Sequence, residues 1–145
     1  MESTNLVIND GRKKFTVNGD ENRAFYVNLA DNMILVRAKK AMNFFKSLKQ
    51  EDYMKEGMDE IDAIEKINED CRKQIDYVFD YGVSEAVFGN ISPMATVDQK
   101  TGKIYSEAFL EAIMPQIEKA QKAMEKSMKE SDKRIQKYTA KYTKK

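Results

Sequence analysis

The sequence has no His and only one Cys among its 145 residues. Without His, the chain has no means of building a Ser-His-Asp or Cys-His catalytic set, or a His-ligated zinc or iron site. A single Cys forms no internal disulfide, so nothing indicates an oxidising compartment. Only 6 Gly and 2 Pro are present, which favours long helices over a turn-rich β fold.

Long apolar runs are also missing. No run approaches the roughly 18 residues that a membrane-spanning helix needs. The first 20 residues contain Glu2 and Asp10 and have no apolar centre, which is not typical of a secretion signal. We therefore expect a soluble, cytoplasmic protein with no membrane partner.

Charge is abundant but unevenly placed. Charged residues make up 34% of the chain, against about 25% in an average globular protein. The 25 basic and 24 acidic residues give a net charge of +1. Residues 118–145 alone carry +6, which leaves −5 on residues 1–117. We predict a body of mixed structure over 1–117 and a basic helical tail over 118–145.

Residues 4–28 are the one region with strand character. An apolar run at 6–8 leads into Asn9-Asp10-Gly11, and Phe15-Thr16-Val17 leads into Asn18-Gly19. Such Asn-Gly and Asp-Gly steps suit tight turns because they tolerate positive φ. Residues 24–27 provide a further candidate strand. We predict a β-hairpin or a three-stranded meander.

Two helices are predicted next, over about 29–49 and from 52 or 58 to 80. Both show apolar residues at spacings of three and four. Asn28 and Asp31 are expected to begin the first helix. Gly82 is expected to end the second in a left-handed conformation.

The rest of the chain is predicted to hold short turns and a long helix. Ser84 is expected to cap one helical turn that ends at Gly89, and residues 92–102 are expected to form short turns. From Ser106 onward the pattern is helical, and Pro115 is expected to kink or split that helix. The fold class is therefore mainly α (α+β), with a small amino-terminal hairpin, a helical body and a long carboxyl-terminal helix.

The sequence contains no pattern typical of a catalytic or metal-binding site. The acidic face of the second helix lacks the alternating oxygen ligands and Gly turn of a calcium loop, so we interpret it as a solvated surface. Cys71 lies on the apolar stripe of that helix and is expected to be a buried small hydrophobe. We predict a protein that is not an enzyme and uses no cofactor or metal.

The sequence therefore favours a binding function. The chain has nine Met residues, and Met side chains adapt to varied apolar partners. Met124 and Met128 lie on a helix stripe with little else to bury them. The predicted partner-binding residues, all on the last helix, are Met114, Ile117, Met124, Met128, Ile135 and Tyr138.

The order of segments over about residues 5–117 resembles the tail assembly chaperones of long-tailed phages and prophages of Gram-positive bacteria. The likeness is carried by the hairpin leading into 25–31, by 71–79, by 81–89 with its Val-Phe-Gly ending, and by the helix at 105–115. Asp80-Tyr81 stands where the family has Phe-Gly, and the charged tail is longer than in the family.

The resemblance implies a non-catalytic holdase, which would coat the apolar tape measure protein and recruit tail tube subunits around it in the host cytoplasm. Two alternatives stay open. One is a nucleic-acid-associated protein that uses the basic tail, where Lys133, Arg134 and Lys137 stand beside Tyr138; the acidic residues mixed into the tail disfavour it. The other is a structural module that forms homo-oligomers.

Overall fold

The computed structural model describes residues 2–54 and 57–143, with side chains as far as Ala140. The chain is mainly α with a small amino-terminal hairpin and a long carboxyl-terminal helix, which confirms the predicted class. The elements in chain order are β1 (Lys13–Val17), β2 (Asp20–Val27), α1 (Met33–Ser47), α2 (Gln50–Met54), α3 (Glu60–Val78), α4 (Val83–Phe88), β3 (Thr96–Asp98), β4 (Lys103–Ile104) and α5 (Tyr105–Thr143).

The first two strands form an antiparallel hairpin around Asn18-Gly19. Both turn residues have positive φ, at 53° and 73°, as a tight hairpin turn requires. Phe15 pairs with Phe25 in the register, and their rings stack at 5.4 Å between centroids. This pair places the aromatic face of the hairpin on the core.

The predicted strand at 6–8 is wrong. Residues 2–12 form no strand, and residues 24–27 belong to β2, so the sheet has two strands. The backbone oxygen of Asp10 accepts a hydrogen bond from Asn28 Nδ2 at 3.0 Å, and Arg12 pairs with Asp80 at 3.1 Å. These contacts keep residues 10–12 beside the end of β2, so the chain does not reverse direction at Asn9-Asp10-Gly11.

The predicted second helix is two helices in the structure. Gly57, with φ of +82°, separates α2 from α3. Asp59 caps α3 because its side chain accepts a hydrogen bond from the N–H of Asp62 at 2.8 Å. The first helix, α1, begins at Met33, whose N–H donates to Asp31 Oδ1 at 3.0 Å.

Two local predictions near α4 are corrected. Gly82 is left-handed, with φ of +89°, but it begins α4 and does not end α3, since α3 has already ended at Val78. Ser84 is no cap: it is buried inside α4 and its hydroxyl donates to Asp76 at 3.0 Å. Gly89 does end α4, as predicted. The turn at 98–102 joins β3 to β4 in a second small antiparallel sheet, so the prediction that residues 4–28 are the one region with strands is wrong.

Helix α5 runs without interruption for 39 residues, so the expectation that Pro115 would split it is wrong. Proline removes one N–H, which would have bonded the carbonyl of Glu111 one turn earlier. Both residues lie on the exposed side of the helix. Water can reach that carbonyl, and the apolar contacts of the opposite side keep the helix together.

The core lies where the hairpin, α1, α3, α4 and the first third of α5 meet. Phe109 of α5 occupies its centre, with edge-to-face contacts to Phe79 at 5.4 Å, Phe88 at 6.1 Å and Phe25 at 6.4 Å between centroids. Helix α4 is buried along almost its whole length. One aromatic residue therefore joins the hairpin, α3 and α4 to α5.

Candidate partner-binding surfaces

The predicted binding residues are divided between the core and the surface. Ile117 is only 5% exposed and belongs to the core, so it does not lie on an accessible binding face. Met124 is half-buried, and Met114 is 43% exposed. Burial of Ile117 follows from the position at which α5 leaves the body, which periodicity alone does not predict.

The second half of α5 carries the accessible members of the set. Met128 is 54% exposed, Ile135 60% and Tyr138 64%. They continue the helix face that is buried at Phe109, Ile113 and Ile117, since residues three, four and seven apart share one face. The same apolar face is thus core in the first part of α5 and surface in the second. We call residues 128–138 on this face the exposed α5 stripe.

The predicted boundary after residue 117 does not coincide with an interruption in the helix. Ala120 packs against the core, and Gln121 Nε2 donates to the carbonyl oxygen of Leu29 at 2.8 Å. Met124 lines a small cavity together with Leu29 and Ala120. The body therefore holds α5 for about two turns beyond Ile117.

A second surface was not predicted from the sequence: a groove between β1 and α5. Its main cavity has a volume of about 790 Å³ and is lined by consecutive residues of β1 and by the α5 positions Ala108, Ala112 and Gln116. A smaller cavity of about 410 Å³ shares Phe15 and Gln116 with it and extends to Met124. We call the two together the β1–α5 groove.

The strand that borders this groove has a free edge. Successive side chains of a strand point to opposite faces, yet residues 14–18 all line the main cavity, so the cavity lies along the edge of β1. Within the part of the chain that the structure describes, β1 pairs with β2 alone. Its outward N–H and C=O groups are therefore available to another strand.

Hydrogen bonds hold the floor of the groove in place. Arg23 of β2 donates to the carbonyl oxygen of Ala86 at 3.1 Å and to the hydroxyl of Tyr105 at 2.8 Å. Tyr105 in turn donates to the carbonyl oxygen of Val87 at 2.7 Å, and it also lines the main cavity. These bonds tie β2 to the end of α4 and the beginning of α5, and Val87 and Tyr105 among their partners line the main cavity.

The remaining candidates from the sequence are Cys71 and the acidic helix face. Burial, and to a lesser degree the charge of Asp70, raises the pKa of Cys71 to about 11, so its thiol stays protonated at neutral pH. Across residues 2–54 and 57–143, no three His, Cys, Asp or Glu residues are grouped as a metal site would need. Asp59, Glu60 and Asp62 of the acidic face are exposed to solvent.

Among the described helices, none combines the length and the apolar character that crossing a bilayer demands. Comparison of the chain with known protein families, curated proteins and solved structures gave no match.

Proposed function

We propose that the protein is a non-catalytic chaperone of phage tail assembly, which binds the tape measure protein in the host cytoplasm and helps to recruit tail tube subunits. The observation that carries the proposal is the exposed α5 stripe. A helix face that is core at Ile117 and surface at Met128 and Ile135 leaves apolar area for a partner to cover.

The chemistry of the stripe suits a long apolar helical partner. An amphipathic helix binds such a partner through residues three, four and seven apart, and Met side chains adjust to partner segments of different shape. Lys129, Lys133 and Lys137, on the side of the helix away from the stripe, are exposed. Their charges would keep a complex with an apolar protein in solution.

The segment order also supports this choice of partner. The order of the hairpin, the segment at 71–79 and the helix at 105–115 resembles that of tail assembly chaperones. A holdase role requires an accessible apolar face, and the exposed positions Met128 and Ile135 support it.

Co-expression with a tape measure fragment tests the proposal. We expect the full chain to keep the fragment in the soluble fraction and to co-purify with it. The double variant Met128→Asp/Ile135→Asp should lose both effects, because each carboxylate would be desolvated in the interface.

The matched control is Gln136→Asp/Ala140→Asp, which makes the same change in net charge on exposed positions away from the stripe. It should behave as the unmodified chain. If the unmodified chain fails to solubilise the fragment, or if both double variants act alike, the proposal is wrong. Binding to single-stranded nucleic acid at low salt, without fragment binding, would favour the nucleic-acid alternative.

A further inference from the structure

We propose that the β1–α5 groove receives the amino-terminal residues 2–10 of a second copy of this chain. In this arrangement Leu6, Val7 and Ile8 of one copy lie as an added strand along β1 of the other. We call residues 2–10 the amino-terminal arm. The proposal concerns a different surface from the exposed α5 stripe and does not depend on the proposed function.

The groove has the form of a site for strand addition. One wall is the free edge of β1, which offers backbone N–H and C=O groups, and the other is α5. Ala108 and Ala112 face the gap from α5, so the helix leaves room for the side chains of an inserted strand. Sites that bind extended peptides by adding a strand to a sheet edge are built in this way.

The arm has the properties of the missing strand. It forms no helix or strand, and Leu6, Val7 and Ile8 are 74%, 92% and 72% exposed. Two of the three are β-branched, which favours a strand conformation. Its nine residues would extend over about 30 Å, enough to follow the five residues of β1 and the neighbouring turns of α5.

The arm leaves the body at one end of the groove, where Gly11 and Asn28 line the smaller cavity. Asp10 is held there by Asn28, and Arg12 is held by Asp80. To lie along the free edge of β1, the chain would have to reverse within residues 9–12, and these contacts would break. Insertion into a second copy needs no such change.

Charge favours the same occupant. The charged residues that line the groove are Lys13, Lys14 and Lys119, with no carboxylate among the lining residues. Lys14 is already paired with Glu21 at 2.6 Å, so Lys13 and Lys119 provide the attraction. The arm carries Glu2 and Asp10 on either side of its apolar residues and has no basic residue.

Reciprocal exchange of two arms would give a closed dimer, because each copy offers one arm and one groove. Light scattering over a concentration series tests this. We expect the full chain to reach twice its mass of 16.8 kDa. Val7→Asp in the arm and Ala112→Arg in the groove should each keep the chain at the mass of one copy. Both positions are exposed, so both variants should fold. Each should show the same helical circular dichroism as the unmodified chain.

The matched control is Ile61→Asp, at a position that is 76% exposed on α3, outside the arm and the groove. It should form the dimer like the unmodified chain. Mixing the Val7→Asp and Ala112→Arg chains is the decisive step, since the first keeps its groove and the second keeps its arm. The mixture should form dimers at concentrations where neither variant does so alone.

Three results would each overturn the inference. They are a full chain that stays at the mass of one copy throughout, a Val7→Asp chain that dimerises as the full chain does, and a mixture of two folded variants that fails to associate. Occupation of the groove by the chain's own arm would produce the first of these results.

Discussion

The hydroxyl of Tyr105 accepts a hydrogen bond from the Arg23 guanidinium at 2.8 Å, although the two residues are 82 positions apart in the chain. The same hydroxyl donates to the carbonyl oxygen of Val87 at 2.7 Å, and Arg23 donates to the carbonyl oxygen of Ala86 at 3.1 Å. β2, the end of α4 and the beginning of α5 therefore meet at one side chain.

Replacing Arg23 with Met is expected to lower the free energy of unfolding by about 2–3 kcal/mol. The change keeps most of the apolar stem but leaves the carbonyls of Ala86 and Val87 without their charged donor. Urea denaturation followed by circular dichroism measures the loss. Arg134→Met, on an exposed part of α5, is the control and should change stability by no more than about 0.5 kcal/mol. Equal effects of the two changes would contradict the role given to Arg23.

Phe109→Ala should cost about 3–5 kcal/mol of unfolding free energy, since it removes a ring that contacts three other aromatic residues and leaves a cavity. The neighbouring Leu110 is 38% exposed, so Leu110→Ala should cost clearly less. Both values come from the same denaturation experiment. A Phe109→Ala chain as stable as Leu110→Ala would show that the core is not centred on this ring.

Two truncations locate the end of the folded body. A chain ending at Ser127 should melt within a few degrees of the full chain, because it keeps Ala120 and the hydrogen bond from Gln121 to Leu29. A chain ending at Ile117 loses both and should melt at a lower temperature. Scanning calorimetry makes the comparison. Identical melting temperatures would place the boundary at residue 117, as the charge pattern predicts.

Cys71 gives a test that depends on pH. Its pKa is raised from 9.0 to about 11 in the folded chain, so the folded state favours the protonated thiol. The stabilisation is complete below pH 9 and is lost as the pH rises towards 11. The stability advantage of the full chain over Cys71→Ala should therefore shrink over this interval in urea denaturation. The thiol should also react slowly with iodoacetamide in the folded state and quickly in denaturant. A constant advantage and fast labelling of the folded chain would contradict the burial.

Local sequence signals predicted the elements that depend on neighbouring residues. The Asn18-Gly19 turn, the end of α4 at Gly89 and the turn at 98–102 all lie where predicted, because each depends on the backbone preferences of two to five residues. Periodicity likewise located the apolar face of α5 and the buried positions Cys71, Ile75 and Val78 of α3. It failed in the first half of α3, where Ile61 and Ile64 of the same stripe are exposed.

Other features depend on contacts between residues that are far apart in the chain. The sequence alone did not predict these features. Residues 6–8 have strand character but stay unpaired, since Asn28 and Asp80 hold the residues that would have formed the turn. Pro115 does not split α5, because the apolar contacts of the buried face outweigh one lost hydrogen bond on the exposed face.

The sequence by itself determined that the protein is mainly helical, has no His to support catalysis or metal binding, and combines an acidic body with a basic end. These properties follow from composition and from spacing along the chain. Only the tertiary structure decided that Ile117 is core while Met128 is surface, and that a groove lies between β1 and α5. Burial of a residue depends on which elements pack against it. Along α5 the spacing of apolar residues is the same where the body covers the helix and where it does not, so the spacing alone cannot distinguish core from surface.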